Sequence, residues 1–368
     1  MKYRLLAQKG EHWEVWTNWY DARLDPSKRI PCYSPPVPEL ERARVLLPNE
    51  LWEKGPAAVN AEIKRLIEEH ECSKAPDRPE PLPGAQFIIT PEEQLDVIPQ
   101  PPAEEEAQDP RLQKQFARLK QRATRLLENI KPIENQYPEL ASIIRDYNDE
   151  LSPASLADVD IDALWMVGAG ILAQAEAFRK TPEGVLTPPL EQEVAGLLFE
   201  VAALHGAFIL GFAAGRELAD RQLQLTAGPN YRKHLAEAVR QFIEALEKLD
   251  EETKTPRAQD RFRETLDLLA LKVDAEYDRI LRATVPVAYN ILGVVGEFLL
   301  AAYESKGLDR LISLGGMGLL GGLLTLFQQQ FGPIAAIAQI TPEMRAYIRH
   351  LFECYGWPWP DDDDDPQE

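Results

Sequence analysis

Apolar positions recur every three or four residues through most of the chain, the period of an α-helix that buries one face. Phe116, Leu119, Ala123, Leu126, Leu127 and Ile130 make one such face, and Pro132 ends it. Leu164, Trp165, Val167, Ile171, Leu172 and Ala175 make a second. A third helix is predicted over 188–220. Two more, Tyr231 to Leu249 and Gln259 to Leu281, carry charges on one side and Leu, Ile and Val on the other. Residues 111–282 therefore read as an antiparallel helical bundle, and the fold class as all-α.

The pattern changes toward both ends. Residues 283–354 hold two long apolar runs. Ala283 to Tyr303 has Glu297 as its only charge, and Leu311 to Pro342 has no charged residue or histidine at all. At about 1.5 Å per residue the first run makes roughly 31 Å of helix, the thickness of a hydrocarbon core. The run from Leu311 to Phe327 is shorter, and only ESKGLDR separates the two, so together they predict an apolar helical hairpin and a candidate membrane segment. Gly315, Gly318 and Gly322 would let helices approach closely in lipid, where small residues line contacts. Asn290 and Glu297 are the polar exceptions and count against a membrane span; as hairpin-packing residues they would face the partner helix, or Glu297, six residues from Tyr303, would reach the interface. Tyr303, Tyr347, Tyr355, Trp357 and Trp359 flank the runs as an interfacial belt does. The competing reading is that both runs form the core of a soluble bundle or of an oligomer interface.

At the other end, residues 1–72 form a small Trp-rich helical module. In WEVWTNWYDARL, Trp13, Trp16, Trp19, Tyr20 and Arg23 share one side of a helix, a candidate platform for a protein partner or a packing face for the next helix. That next helix starts at Pro56, a residue suited to a first turn, and carries Val59, Ile63, Leu66 and Ile67 as its apolar stripe, with Trp52 packing nearby. Trp16, Trp19, Tyr20, Arg23 and Leu24, followed by Glu41, Arg44, Val45, Pro48, Trp52, Gly55, Pro56, Val59, Asn60, Ala61, Ile63, Leu66 and Ile67, form a pattern that resembles the amino-terminal module of uncharacterised bacterial proteins, chiefly of alphaproteobacterial type. LHGAFILGFAAGREL, from Leu204 to Leu218, is similar to a helix of the same proteins. The resemblance implies a small helical module at the head of otherwise different chains, with no activity attached.

Between module and bundle, residues 73–110 carry nine prolines and the acidic triplet Glu104 to Glu106. Such a segment is expected to be extended and mobile. Its exception is QFIITPEEQLDVIP, two short apolar runs around a Pro-Glu-Glu turn that predict a small docking hairpin.

Composition narrows the chemistry. A formal charge of −20, with no basic stripe to offset it, argues against nucleic acid. Three scattered cysteines, Cys32, Cys72 and Cys354, make no disulfide framework and fit a reducing compartment. The amino terminus lacks the apolar stretch of a signal peptide, so a cytoplasmic body is expected, anchored at the bacterial inner membrane if the hairpin inserts. Asp158, Asp160 and Asp162 invite calcium, yet Ala163 and Ala169 stand where a calcium loop needs Gly and Glu, so capping acids are the better account. His205 has no partner placed by sequence and reads as a core histidine. No phosphate loop, nucleophile elbow or zinc motif is present, and neither a cofactor nor a catalytic residue is expected. The tail, 355–368, ends in five aspartates and reads as a solvated end. The expected function is a non-catalytic, membrane-associated scaffold or adaptor working through protein contacts and able to form homo-oligomers. A pore-forming effector built on the glycine-rich hairpin, or a soluble oligomeric scaffold, are the alternatives.

Overall fold

A computed structural model describes residues 42, 45–73, 76–180, 190–221, 229–271, 277–304 and 318–359. The chain divides into two compact units, Met1–Asp77 and Arg78–Glu368.

In the first unit the described helices are α1 (Asn49–Glu53) and α2 (Pro56–Ser73). Pro56 opens α2 as its fixed φ favours. Leu47, Val59 and Ile63 are buried together, with Leu51, Trp52 and Leu66 packed on them. Trp13, Trp16, Trp19, Tyr20 and Arg23 lie outside the described residues.

The second unit starts with a hairpin, β1 (Gln86–Ile89) paired antiparallel with β2 (Leu95–Ile98), Phe87 opposite Val97 and Ile89 opposite Leu95. Thr90 and Gln94 close the turn, and Glu93 takes a positive φ of 58°. Helices α3 (Glu104–Ala107), α4 (Pro110–Ile130), α5 (Pro138–Glu150), α6 (Ile161–Lys180), α7 (Gln192–Ile209), α8 (Ala213–Asp220), α9 (Pro229–Glu247), α10 (Pro256–Ala270), α11 (Tyr277–Glu304), α12 (Leu319–Gln329), α13 (Phe331–Ala338) and α14 (Pro342–Tyr355) follow. The described part of this unit is thus mainly helical, with a single two-stranded sheet. In α4 the buried face is Leu112, Phe116, Leu119, Ala123, Leu126 and Ile130, close to the predicted stripe. The Asp109 carboxylate caps that helix by accepting from Arg111 N at 2.7 Å.

Four expectations need correction. First, the segment expected to be an extended linker belongs, from Arg78 onward, to the second unit. Ala85, Phe87, Leu95 and Val97 bury enough apolar surface to hold it against α10 and α11. Second, the helix expected over 188–220 breaks at residues 210–212. Glu106 of the acidic triplet reaches the break, its Oε1 accepting from Ala213 N at 2.6 Å, while Arg216 donates to the Leu210 and Gly211 carbonyls at 3.0 Å each. A carboxylate at one new terminus and a guanidinium on the exposed carbonyls stabilise an interruption that an unbroken apolar run would not announce. Third, α10 ends at Ala270, with Leu271 already extended, instead of running on to Leu281.

The fourth correction concerns the hairpin. Residues 319–355 form three short helices, and α11 packs against β1, α6, α9, α10, α13 and α14. By length and composition three described helices could cross a membrane, Ile161–Arg179, Gln192–Ile209 and Tyr277–Tyr303, but 78% of the apolar window in the last is enclosed by protein. The second run is not one span: Gly318 is extended, and α12 starts only at Leu319. Nor do the expected packing residues meet. Gly322 abuts α9's end, where a Cβ would lie 2.9 Å from Leu249 Cδ2, and Gly318 is exposed near Glu93. Gly315 lies outside the described residues.

Asn290 and Glu297 instead face an extended strap, Arg78 to Ala85. Asn290 Oδ1 accepts from Leu82 N at 2.8 Å, and its Nδ2 donates to the Leu82 and Ala85 carbonyls at 2.9 Å each. Arg78 pairs with Glu297 at 2.8 Å. Gly84 turns the strap with φ 130°, a conformation open to glycine, and stands over Pro286. Of the flanking aromatics Tyr303 stays exposed, but the later ones turn inward: Tyr355 stacks on Trp357 at 4.6 Å, Phe352 meets Trp357 and Trp359 edge-on, and Tyr355 OH donates to the Leu299 carbonyl.

Candidate functional site: an acidic cleft around a buried arginine

The amino acids of α10 repeat charge along one helical side: Arg257, then the neighbours Asp260 and Arg261, then Glu264 and Asp267 recur at steps of three or four. Such a stripe is normally solvated. Here it packs on α5, whose Asp146 and Glu150 stand one turn apart, and on the start of α6. Thr255 fixes where α10 begins, its Oγ1 accepting from Ala258 N at 3.2 Å while its N–H donates to the Leu95 carbonyl of β2. Asp160 fixes the start of α6 as expected of a capping acid. Its Oδ1 accepts from Asp162 N at 3.1 Å and Ala163 N at 3.2 Å, and from Gln100 N at 3.3 Å. Lys254 ends α9 with its ammonium on the Leu246, Glu247 and Leu249 carbonyls.

These ends converge on a cleft of about 820 Å³. Six carboxyl groups line it, Asp96, Glu150, Asp158, Asp160, Asp260 and Glu264, against two guanidinium groups, Arg257 and Arg261. Arg257 is solvent-exposed and ties the rim, donating to the Val97 carbonyl at 3.2 Å. Arg261 is only 3% exposed. Its Nη2 lies 3.5 Å from Asp160 Oδ2 and its Nη1 3.2 Å from Glu264 Oε2. Neither Nη1 nor Nε of Arg261, nor Glu264 Oε2, makes a hydrogen bond of good geometry. Burial works against the Arg261 charge and is outweighed by Glu264, Asp160, Glu150 and Asp162, which hold its proton above the ordinary range.

The acids respond in the opposite sense. Burial pushes Glu264, 2% exposed, well above the usual carboxylate range, with Arg261 opposing and Glu150 adding to the shift. Glu150 is raised by burial too, against the pull of Arg261. Below the cleft Asp146 is raised to about 7 by burial and by Asp267, whose Oδ2 accepts from Ser142 Oγ at 2.8 Å. Asp162 is raised to about 7 by burial and then by Asp160. The side of α10 that reads as solvated therefore buries Arg261 and Glu264, with Asp260 left exposed, in a cleft open to solvent.

No family model, curated protein or solved structure matches the chain. The cleft's chemistry must be argued from its own residues. Among the described residues no group of three or more His, Cys, Asp or Glu side chains is arranged to hold a metal ion. His205 sits elsewhere, buried on α7. Its Nδ1 shares a hydrogen bond with Tyr147 OH at 3.0 Å, and burial, with Arg279, depresses its proton affinity to about 3, so it is neutral. Gly168 makes room for the ring, since a Cβ there would lie 2.0 Å from His205 Cε1. That is a packed histidine. Among the described residues, those singled out by sequence as contacts, Gly318, Gly322, Asn290 and Glu297, do not line the acidic cleft. The signal that could have found it is the charge stripe of α10, read together with Asp146 and Glu150 four apart on α5.

Proposed function

We propose that this protein is a non-catalytic scaffold or adaptor whose acidic cleft receives a basic segment of a protein partner. One observation carries the reading: six carboxyl groups face two guanidinium groups in a cleft wide enough for a peptide side chain, on a chain with formal charge −20. Pro99, Pro101 and Pro256 give the rim stiff walls, so little ordering is lost when a segment enters. Enclosure of α11 supports a body that keeps its apolar helices in protein. The test uses the full chain and a fluorescent peptide of alternating arginine and glycine, with citrulline for arginine as the uncharged control. Binding is expected to need arginine, and Asp260→Asn and Glu150→Gln are each expected to weaken it about three- to fivefold, the scale of single partly solvated charges. Replacing Asp361 to Asp365 with asparagine serves as the control for general attraction to an acidic chain. Binding that survives both cleft substitutions but disappears with the tail aspartates would refute the cleft as the receptor.

A second reading places the body at a membrane, and α7 favours it. Only 44% of its apolar window is buried, and Gly196, Ala203, Ala207 and Leu210 face outward. If that face touches lipid, the chain floats with neutral phosphatidylcholine vesicles and Leu210→Asp abolishes flotation; a chain that stays in the dense fraction rules this out.

A further inference from the structure

Glu150 of α5 and Glu264 of α10 both line the cleft, on two helices that pack together. Glu264 is 2% exposed and its Oε2 has no hydrogen-bond partner, and burying a second negative charge with it is disfavoured, so the pair holds a proton. The charged groups around it explain why the proton stays. Asp146 and Asp149 stand on the same side of α5, Asp160 and Asp162 come from the start of α6, and Asp260 and Asp267 come from α10; Asp96 and Asp158 add to the rim. Against them stand Arg261 within the site, with Arg257 at the rim and Arg263 close to Asp146. One buried guanidinium is divided between Asp160 and Glu264, and Glu264 Oε2 is left without a hydrogen bond. The site is short of positive charge, and the shared proton supplies the deficit.

We propose that the proton shared by Glu150 and Glu264 and a cation in the cleft are alternatives, so that an arginine or lysine side chain of the partner expels that proton as it binds. This rests on the cleft being the receptor for a basic segment. The exchange balances without any further reactant: the carboxyl O–H breaks, the proton leaves to buffer, and the partner's guanidinium or ammonium takes over as counter-charge to the doubly ionised pair. Binding then strengthens as pH rises, because the empty site has less proton to give up, and levels off where the pair is already ionised. Asp146 and Asp267 do not line the cleft, so the peptide does not exchange with a proton there.

Titration calorimetry of the full chain with the arginine-glycine peptide, in two buffers of different ionisation heat, reads both affinity and proton release. The expected result is release of up to about one proton per peptide, and an affinity that rises by up to about tenfold per pH unit while the pair is protonated. Glu264→Gln is expected to abolish the release and flatten the pH profile. Glu150→Gln, at a less buried position, gives the same reading should the first variant fail to fold, and Asp146→Asn should leave the release intact. Peptide binding with equal affinity at all pH values and no buffer-dependent heat would overturn the exchange while leaving the receptor reading standing. No binding at any pH, in a chain whose circular dichroism is native, overturns the receptor reading and the exchange with it.

Discussion

Helices α10 and α11 are neighbours that invert the usual expectation. α10 is rich in charge and buries two of its charged groups, Arg261 and Glu264, while Arg257, Asp260 and Arg263 stay exposed. α11 has a single charge, Glu297, within its apolar run from Ala283 to Tyr303; 78% of its apolar window is enclosed by protein, while Glu297 remains 60% exposed. The difference teaches that burial follows from what the facing elements supply. α5 and α6 offer α10 a matching set of acids, so charge goes inside. The strap offers α11 backbone groups, so Asn290 goes inside and Glu297 stays at the surface.

The comparison breaks most visibly at Arg261. Arg261→Ala leaves Asp160 and Glu264 facing each other with no counter-charge, and breaking a buried pair in this way costs about 3–5 kcal/mol. Urea unfolding at neutral pH measures it. The loss should shrink in acid, where Glu264 and Glu150 are neutral and need no guanidinium; an equal loss at pH 5 and pH 8, both round values, would mean that Arg261 acts by packing alone.

Asn290 is the counterpart on α11. Asn290→Ala removes the partner it supplies to the Leu82 N–H and the Ala85 carbonyl and leaves the Leu82 carbonyl with Gln86 Nε2 alone, for about 2–3 kcal/mol. The same variant should raise amide exchange along residues 82–85 before it affects α4. If the strap protects its amides equally well in the variant, Asn290 is a passive core residue.

A smaller effect separates the two kinds of burial by pH. Asp146 and Asp162 are both raised to about 7, so the folded chain binds protons that the unfolded chain has released. Their contribution to stability is therefore complete below the ordinary carboxylate range, declines as pH rises from about 4 to about 7, and is flat above that. Each can contribute at most about 1.4 kcal/mol per pH unit to the slope. Asp146→Asn, which mimics the neutral acid, should flatten the profile by up to that amount and gain on the native chain as pH rises.

The parts of this fold that could be read from sequence are those decided locally. The α4 stripe, the start of α2 at Pro56, the hairpin around Pro91 and the Asp160 cap each depend on residues within one or two turns. What could not be read depends on distant partners. Glu106 caps a break more than a hundred positions away, and nothing in LHGAFILGFAAGREL announces it. The cleft was hidden for the same reason: a charge every three or four residues on α10 looks solvated until α5 supplies Asp146 and Glu150. The apolar runs are the converse case, because spacing and length do not distinguish a lipid environment from a protein one, and Gly318 interrupts the second run by its backbone alone.

The mildest test is the charge that counted against a membrane span. Glu297 and Arg78 meet at 2.8 Å, but the two side chains are 60% and 30% exposed, so water screens the pair and much of its attraction is lost. Glu297→Gln is accordingly expected to cost less than about 1 kcal/mol, with the loss disappearing at high salt. In a hydrocarbon setting the same substitution would remove a charge worth about 2–4 kcal/mol of penalty and so stabilise the protein. The sign of this one difference, measured by urea unfolding of the full chain, separates the two environments of α11: a small loss belongs to a helix whose carboxylate already reaches water, and a clear gain would put that helix in lipid.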